Sequence, residues 1–133
     1  MSNNPGIRHV GPPVERAGQV QPISPAVVVD ERLVFVAGQV PMRHGQPAGE
    51  DIASQTHYTL DLIEAILQRA GCTLADVVKT TVWLVHAQDY PAFNAAYAER
   101  FPAATAPARS TVIAGLIAPV RVEIEAVAVR PNA

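Results

Sequence analysis

The sequence predicts an α+β domain: a mixed β-sheet with two helices packed on one face and the other face covered by further copies of the chain. Three observations lead there. Segments with strand and helix periodicity alternate in the order ββ-α-β-α-ββ. The strands are apolar on both faces. And 49% of the 133 residues are apolar while only 17% are charged, so one domain can build a core without disulfides and still has apolar surface left to hide.

Taken in order, residues 1–18 are rich in Pro and Gly and follow no period, which predicts an irregular arm ahead of a single domain at 19–133. A short strand is expected near Gln19–Gln21. Ala26–Val29 and Leu33–Val40 read as strands, with Asp30-Glu31-Arg32 as their hairpin turn although no Gly is present. Pro41, Gly45, Pro47 and Gly49 mark a loop. From Asp51 to Ala70, Ile52, Thr56, Leu60, Ile63 and Leu67 recur at steps of three and four, giving a helix with Asp51 at its start and Gly71 at C′. Asp76–Val85 is a strand. Tyr90–Arg100 is a second helix with a stripe of Tyr90, Phe93, Tyr97 and Phe101, capped by Asp89 and stopped by Pro102. Ala108–Gly115 and Val120–Arg130 close the chain as two strands read as neighbours, joined by a tight Leu116–Pro119 connection. Leu33, Phe35 and Ala37 point one way and Val34, Val36 and Gly38 the other. Two helices can cover only one such face, and self-association is the simplest cover for the second.

Composition excludes several function classes. A net charge of −2 attracts neither nucleic acid nor anionic membranes. No apolar run reaches the ~20 residues that a membrane span needs. The first residues lack the apolar stretch of a secretory signal, so the expected compartment is the cytoplasm. Cys72 is the one cysteine, which rules out an internal disulfide or a thiolate cluster. There is no GxGxxG, P-loop or GxSxG. His9, His44, His57 and His86 lack ligand spacing, so neither metal nor other cofactor is expected.

The chemistry concentrates in the last two strands. Arg109, Thr111 and Ile113 share a face of one; Glu123 and Glu125 share a face of the other with Val127 and Val129. Two readings fit. Arg109 pairs structurally with Glu125 or Glu123, as most charged pairs do. Alternatively Arg109 grips a substrate carboxylate with its planar fork while Glu125 handles protons.

Several motifs then carry a resemblance. They are Val36-Ala37-Gly38-Gln39-Val40-Pro41, Asp76-Val77-Val78-Lys79-Thr80-Thr81-Val82, Asn94-Ala95-Ala96-Tyr97, Pro107-Ala108-Arg109-Ser110 and Val122-Glu123-Ile124-Glu125-Ala126. Over residues 19–130 the chain resembles the RidA/YjgF (endoribonuclease L-PSP-like) family. The resemblance implies a chorismate-mutase-like fold with a mixed six-stranded sheet, a homotrimer, and three sites at subunit clefts. It implies Arg109 as the carboxylate-binding arginine and Glu125 as the acid that orients or activates water. Asn94, Thr111, Ala37 and Gly38 would line the site, with Ile23 where the family carries an aromatic residue. Ile23 offers no hydroxyl, and Ala37 and Ala106 stand where Ser and Phe are common, so a roomier pocket is expected. The implied activity is cofactor-free hydrolysis of reactive 2-imino or enamine acids to a 2-keto acid and ammonia. The alternative is a trimer that binds a small carboxylate for regulation without catalysis. Ribonuclease action fits poorly with an acidic chain that has few aromatics and no basic stripe.

Overall fold

The structure, a computed structural model, describes residues 3–132. Its strands in chain order are β1 (Ile7–Val10), β2 (Glu15–Arg16), β3 (Gln19–Val20), β4 (Ala26–Val29), β5 (Leu33–Gln39), β6 (Met42–Arg43), β7 (Gln46–Pro47), β8 (Val77–Leu84), β9 (Ala108–Ile113) and β10 (Val122–Val129). The helices are α1 (Ile52–Arg69) and α2 (Tyr90–Arg100). Six strands make one sheet in the order β1-β4-β5-β10-β8-β9, and β2-β3 and β6-β7 are small separate hairpins. Every neighbouring pair in the sheet is antiparallel except β8–β9. That parallel pair requires a crossover, which α2 supplies.

The mixed α+β architecture matches the expectation; besides the small hairpins β2–β3 and β6–β7, which fall in stretches expected to be largely irregular, three differences stand out. First, Ile7–Val10 lies in the stretch expected to be irregular, yet it pairs with β4 from Ile7↔Val29 to Val10↔Ala26. Four residues between Gly6 and Gly11 are too few to show a period; the open edge of β4 is what makes them a strand. Second, β9 and β10 are not neighbours, because β8 lies between them. Third, Asp89 makes no capping hydrogen bond to α2. Its carboxylate instead accepts from Arg121 Nε (2.9 Å) and Nη2 (2.5 Å), while the Arg121 backbone N–H donates to Gln55 Oε1 (2.8 Å). This cluster ties the start of β10 to both helices. Asp89 is only 5% exposed, so Asp89→Ala would strand a half-buried guanidinium. We expect a loss of about 2–3 kcal/mol in urea unfolding, partly recovered in the Asp89→Ala/Arg121→Met double variant.

The helix ends follow the local sequence. Asp51 accepts from the Ser54 N–H (2.7 Å). At the other end Gly71 has φ +83°; its N–H bonds to the Gln68 carbonyl (3.1 Å) and the Cys72 N–H to that of Leu67 (2.9 Å). These are the two bonds of a Schellman cap. Gly71→Ala places a Cβ in left-handed backbone and, in addition, 3.3 Å from Arg130 Nη2. Its urea midpoint should fall by the equivalent of about 1–2 kcal/mol; an unchanged midpoint would contradict this account of the helix end. The β4–β5 turn forms without Gly because Asp30 and Glu31 both adopt φ +52°. The Glu31 carboxylate is anchored there by Arg8 (3.0 Å) and Arg130 (2.9 Å).

One face of the sheet is closed. Val34 and Val36, Val82 and Leu84, and Val122, Ile124, Ala126 and Ala128 are buried together with Leu60, Ile63, Leu67 and Phe93 of the helices. The buried Thr56 and Thr59 hydroxyls bond back to the carbonyls of Ile52 (2.7 Å) and Gln55 (2.8 Å), so burial leaves neither unsatisfied. The opposite face carries Leu33, Phe35 and Val112, all exposed. Phe35, 45% exposed on a strand in the middle of the sheet, is the clearest sign of uncovered apolar surface.

Candidate active site

Arg109 is placed by the β8–β9 register. It stands opposite Thr80, and Thr111 opposite Val82. Thr80 and Val82 are buried under the helices, so Arg109 and Thr111 project to that same side. There α2 presents its aromatic stripe as a stack, with ring centroids 6.3 Å apart for Tyr90–Phe93, 5.5 Å for Phe93–Tyr97 and 4.7 Å for Tyr97–Phe101. The Arg109 guanidinium carbon lies 4.7 Å from the Tyr97 ring centre, 5.4 Å from that of Phe93 and 5.7 Å from that of Tyr90. Its Nη2 donates to Tyr90 Oη at 2.8 Å. Tyr97 is held in turn by Thr80 Oγ1 (2.7 Å), and burial pushes its phenol pKa up.

Arg8, Arg100, Arg121 and Arg130 each have a carboxylate within ion-pair distance. Arg109 has none among the described residues. The structural ion pair with Glu123 or Glu125 therefore does not form within the chain. The half-buried Arg109 guanidinium faces aromatic rings and the Tyr90 hydroxyl, with no counter-charge among the described residues. Asn94 sits on α2 four residues after Tyr90 and three before Tyr97, half-buried, on the same side of the helix.

A second group of residues gathers elsewhere. A cleft of ≈ 830 Å³ is lined by Ile23, Ala37, Gly38 and Glu123, with Arg16 of the β2–β3 hairpin and Ile117 at its walls. A register shift between β5 and β10 builds its floor. Gln39 faces Ile124 and Val36 faces Ala126, so two residues, Ala37 and Gly38, oppose Glu125 alone. This is a β-bulge, which redirects side chains. Gly38 leaves the space that Glu123 occupies: a Cβ there would overlap Glu123 Oε2 and push the carboxylate aside. The Glu123 carboxyl is held above the ordinary carboxylate pKa, chiefly by burial; Glu125 adds to the rise and Arg16 opposes it.

The two carboxylates thus separate. Glu125, the acid singled out in the sequence, is exposed opposite Thr81 and borders a smaller cavity of ≈ 300 Å³ with Phe35, Ala37 and Val127. Glu123 is the one in the cleft with Ile23, Ala37 and Gly38. Strand parity puts both acids on one face; only the bulge and the missing Gly38 Cβ distinguish them. Arg109 borders neither cavity. It is two strands from β10, about 10 Å, and on the opposite side of the sheet. Within one chain, Arg109 and Thr111 of β9 lie on the helix side of the sheet with Asn94 of α2, and Ile23, Ala37, Gly38 and Glu123 gather in the cleft on the other side. Among the described residues no group of three or more His, Cys, Asp or Glu could hold a metal ion, and no helix is long and apolar enough to cross a membrane.

Residues 15–130 match the family model described as Endoribonuclease L-PSP. The chain belongs to this family, also called RidA/YjgF. Family members with curated names include the 2-iminobutanoate/2-iminopropanoate deaminase of Escherichia coli K12, 40% identical over 104 residues that cover 74% of this chain and 80% of the relative. A RutC family protein of Pyrococcus horikoshii is 40% identical over 112 residues, covering 82% and 87%. Solved structures of the family superpose closely. A YjgF family member from Neisseria meningitidis gives a TM-score of 0.80 at 32% identity, covering 96% of this chain and 97% of that one. An endoribonuclease-like protein from Thermotoga maritima gives 0.82 at 35%, covering 94% and 98%. The family read from the motifs is the one the matches give, and its solved members share the mixed α+β fold of this chain.

Proposed function

We propose that the chain forms a homotrimer whose inter-subunit clefts hydrolyse 2-imino acids, in equilibrium with their enamines, to 2-keto acids and ammonia. The observation that carries this reading is Arg109, a guanidinium without a carboxylate partner among the described residues, within about 6 Å of three aromatic ring centres at the sheet edge. Arg109 and the Glu123 cleft are too far apart in one chain to grasp one small acid, but a neighbouring copy can bring its Arg109 to that cleft. The exposed Leu33, Phe35 and Val112 on the open sheet face supply apolar surface for that assembly. The deaminase name of the E. coli relative supports the reaction.

In this mechanism Arg109 binds the substrate carboxylate and fixes the adjacent C=N carbon. Water adds to that carbon, and the Glu123 carboxylate takes its proton. The protonated Glu123 returns that proton to nitrogen, giving a carbinolamine; Glu123 then relays the carbinolamine's hydroxyl proton to the nitrogen as the C–N bond breaks, which leaves the ketone and ammonia. A carboxyl whose pKa is raised toward neutrality by burial suits both half-steps. Glu125, beside it on β10, raises that pKa further by its charge. Ile23 and the backbone at Ala37 and Gly38 shape the cleft, and Thr111 and Asn94 flank the arginine. Because such imines also decay in water, positioning plus one acid–base group, worth ~10²–10⁴-fold, is enough.

The test generates 2-iminobutanoate in situ from threonine with a dehydratase and follows its decay, alongside the solution mass relative to the 14.1 kDa chain. Accelerated decay by a species of three chains is expected. Binding of 2-ketobutyrate without acceleration would replace this reading with that of a regulatory carboxylate binder.

A further inference from the structure

The aromatic stack contains two phenols in different states. Tyr97 is buried and its hydroxyl is taken up by Thr80. Tyr90 is 40% exposed, and its oxygen accepts the Nη2–H of Arg109 at 2.8 Å. A guanidinium has donors only, so the phenol oxygen must be the acceptor in this bond. Its own O–H is then left pointing elsewhere, and no acceptor for it occurs among the described residues. The same bond spends one of the five N–H groups of Arg109, and the remaining donors have no protein partner among the described residues. A free phenol donor and a set of free guanidinium donors thus lie side by side, both carried on rigid elements and both accessible.

We infer that Tyr90 is a substrate-binding residue of this protein: its hydroxyl, with the Arg109 fork, forms a composite receptor for the carboxylate of a 2-imino or 2-keto acid. This rests on the function proposed above and deepens it. The guanidinium pulls electron density from the phenol oxygen, which strengthens the outgoing O–H as a donor. One carboxylate oxygen would receive that O–H while the other meets Arg109. The bond to Tyr90 also fixes the rotation of the guanidinium plane, which stacking on Tyr97 and Phe93 leaves free. Ile23 brings no hydroxyl to the cleft, so Tyr90 of α2, beside Arg109 on the edge strand, is the phenol available to this site.

The experiment measures 2-ketobutyrate binding by calorimetry, and imine hydrolysis, in wild type, Tyr90→Phe, Arg109→Ala and the double variant. Tyr90→Phe keeps the ring and its stacking, so its melting temperature should match that of wild type. Its Kd for 2-ketobutyrate should rise about tenfold, as for one hydrogen bond to a charged group. In turnover the change should fall on KM rather than kcat, the split that a merely structural tyrosine would not produce. In the Arg109→Ala background Tyr90→Phe should have less effect than alone, because the two groups act as one receptor. Wild-type affinity in Tyr90→Phe, with affinity lost in Arg109→Ala, overturns the inference and leaves the deaminase reading standing. A wild-type protein that neither binds 2-ketobutyrate nor accelerates imine decay removes both.

Discussion

Arg109→Ala should reduce 2-iminobutanoate hydrolysis to the uncatalysed rate and abolish thermal stabilisation by 2-ketobutyrate. A bidentate guanidinium–carboxylate contact comprises two charge-assisted hydrogen bonds of about 1.5–3 kcal/mol each, so binding should weaken at least ~100-fold. The fold should survive. Arg109 lies on an edge strand and has no ion pair to strand; alanine forfeits its contact with Tyr97, Phe93 and Tyr90, about 1 kcal/mol. Arg109→Lys keeps the charge but not the planar fork, so it should restore only part of the binding. An alanine variant that keeps wild-type kcat/KM would end the case for Arg109 as the carboxylate anchor.

Glu123→Gln should lower kcat by ~10²–10⁴-fold while 2-ketobutyrate still binds, because the amide keeps the shape and loses the proton transfer. Stability should move the other way. The folded pKa of Glu123 is raised, so the folded state binds its proton more tightly than the unfolded chain does. Folding therefore incurs no penalty from this group below the ordinary carboxylate pKa. A penalty develops as pH rises from that value through the raised folded pKa, and persists above it. At neutral pH Glu123→Gln removes the penalty and should unfold at equal or higher urea than wild type, with the difference vanishing in acid. Glu125→Gln, at an exposed position, should cost far less activity. Gly38→Ala offers an independent probe: the added Cβ displaces the Glu123 carboxylate and should depress kcat without touching an ionisable group. Equal activity losses in Glu123→Gln and Glu125→Gln would contradict the assignment of the proton to Glu123.

Much of the protein was legible one segment at a time. The limits of α2, the cap residues Asp51 and Gly71, the strand Ala26–Val29 and, to within one residue of the expected Leu33–Val40, the strand Leu33–Gln39 follow from side-chain spacing and turn chemistry within a few residues. Arg109 also stood out as an arginine in an otherwise uncharged strand, but spacing left open an ion pair with Glu123 or Glu125 that the fold does not make. Other features were not legible. Ile7–Val10 is a strand only because β4 has a free edge. Asp89 looked like a helix cap and is instead the partner of Arg121, a residue 32 positions away.

The amino-acid order by itself determined the two helices and the main strands, the second apolar face of the sheet, and the presence of Arg109 in an otherwise uncharged strand. Tertiary structure alone decided that β8 separates β9 from β10, that Arg109 and the acids lie on opposite sides of the sheet, and that Glu123 rather than Glu125 enters the cleft. Local spacing sets the first group, since i+2 and i+4 neighbours meet whatever the rest of the chain does. The second depends on strand order and on a one-residue bulge at Ala37–Gly38, which arise only when distant segments compete to pair and pack.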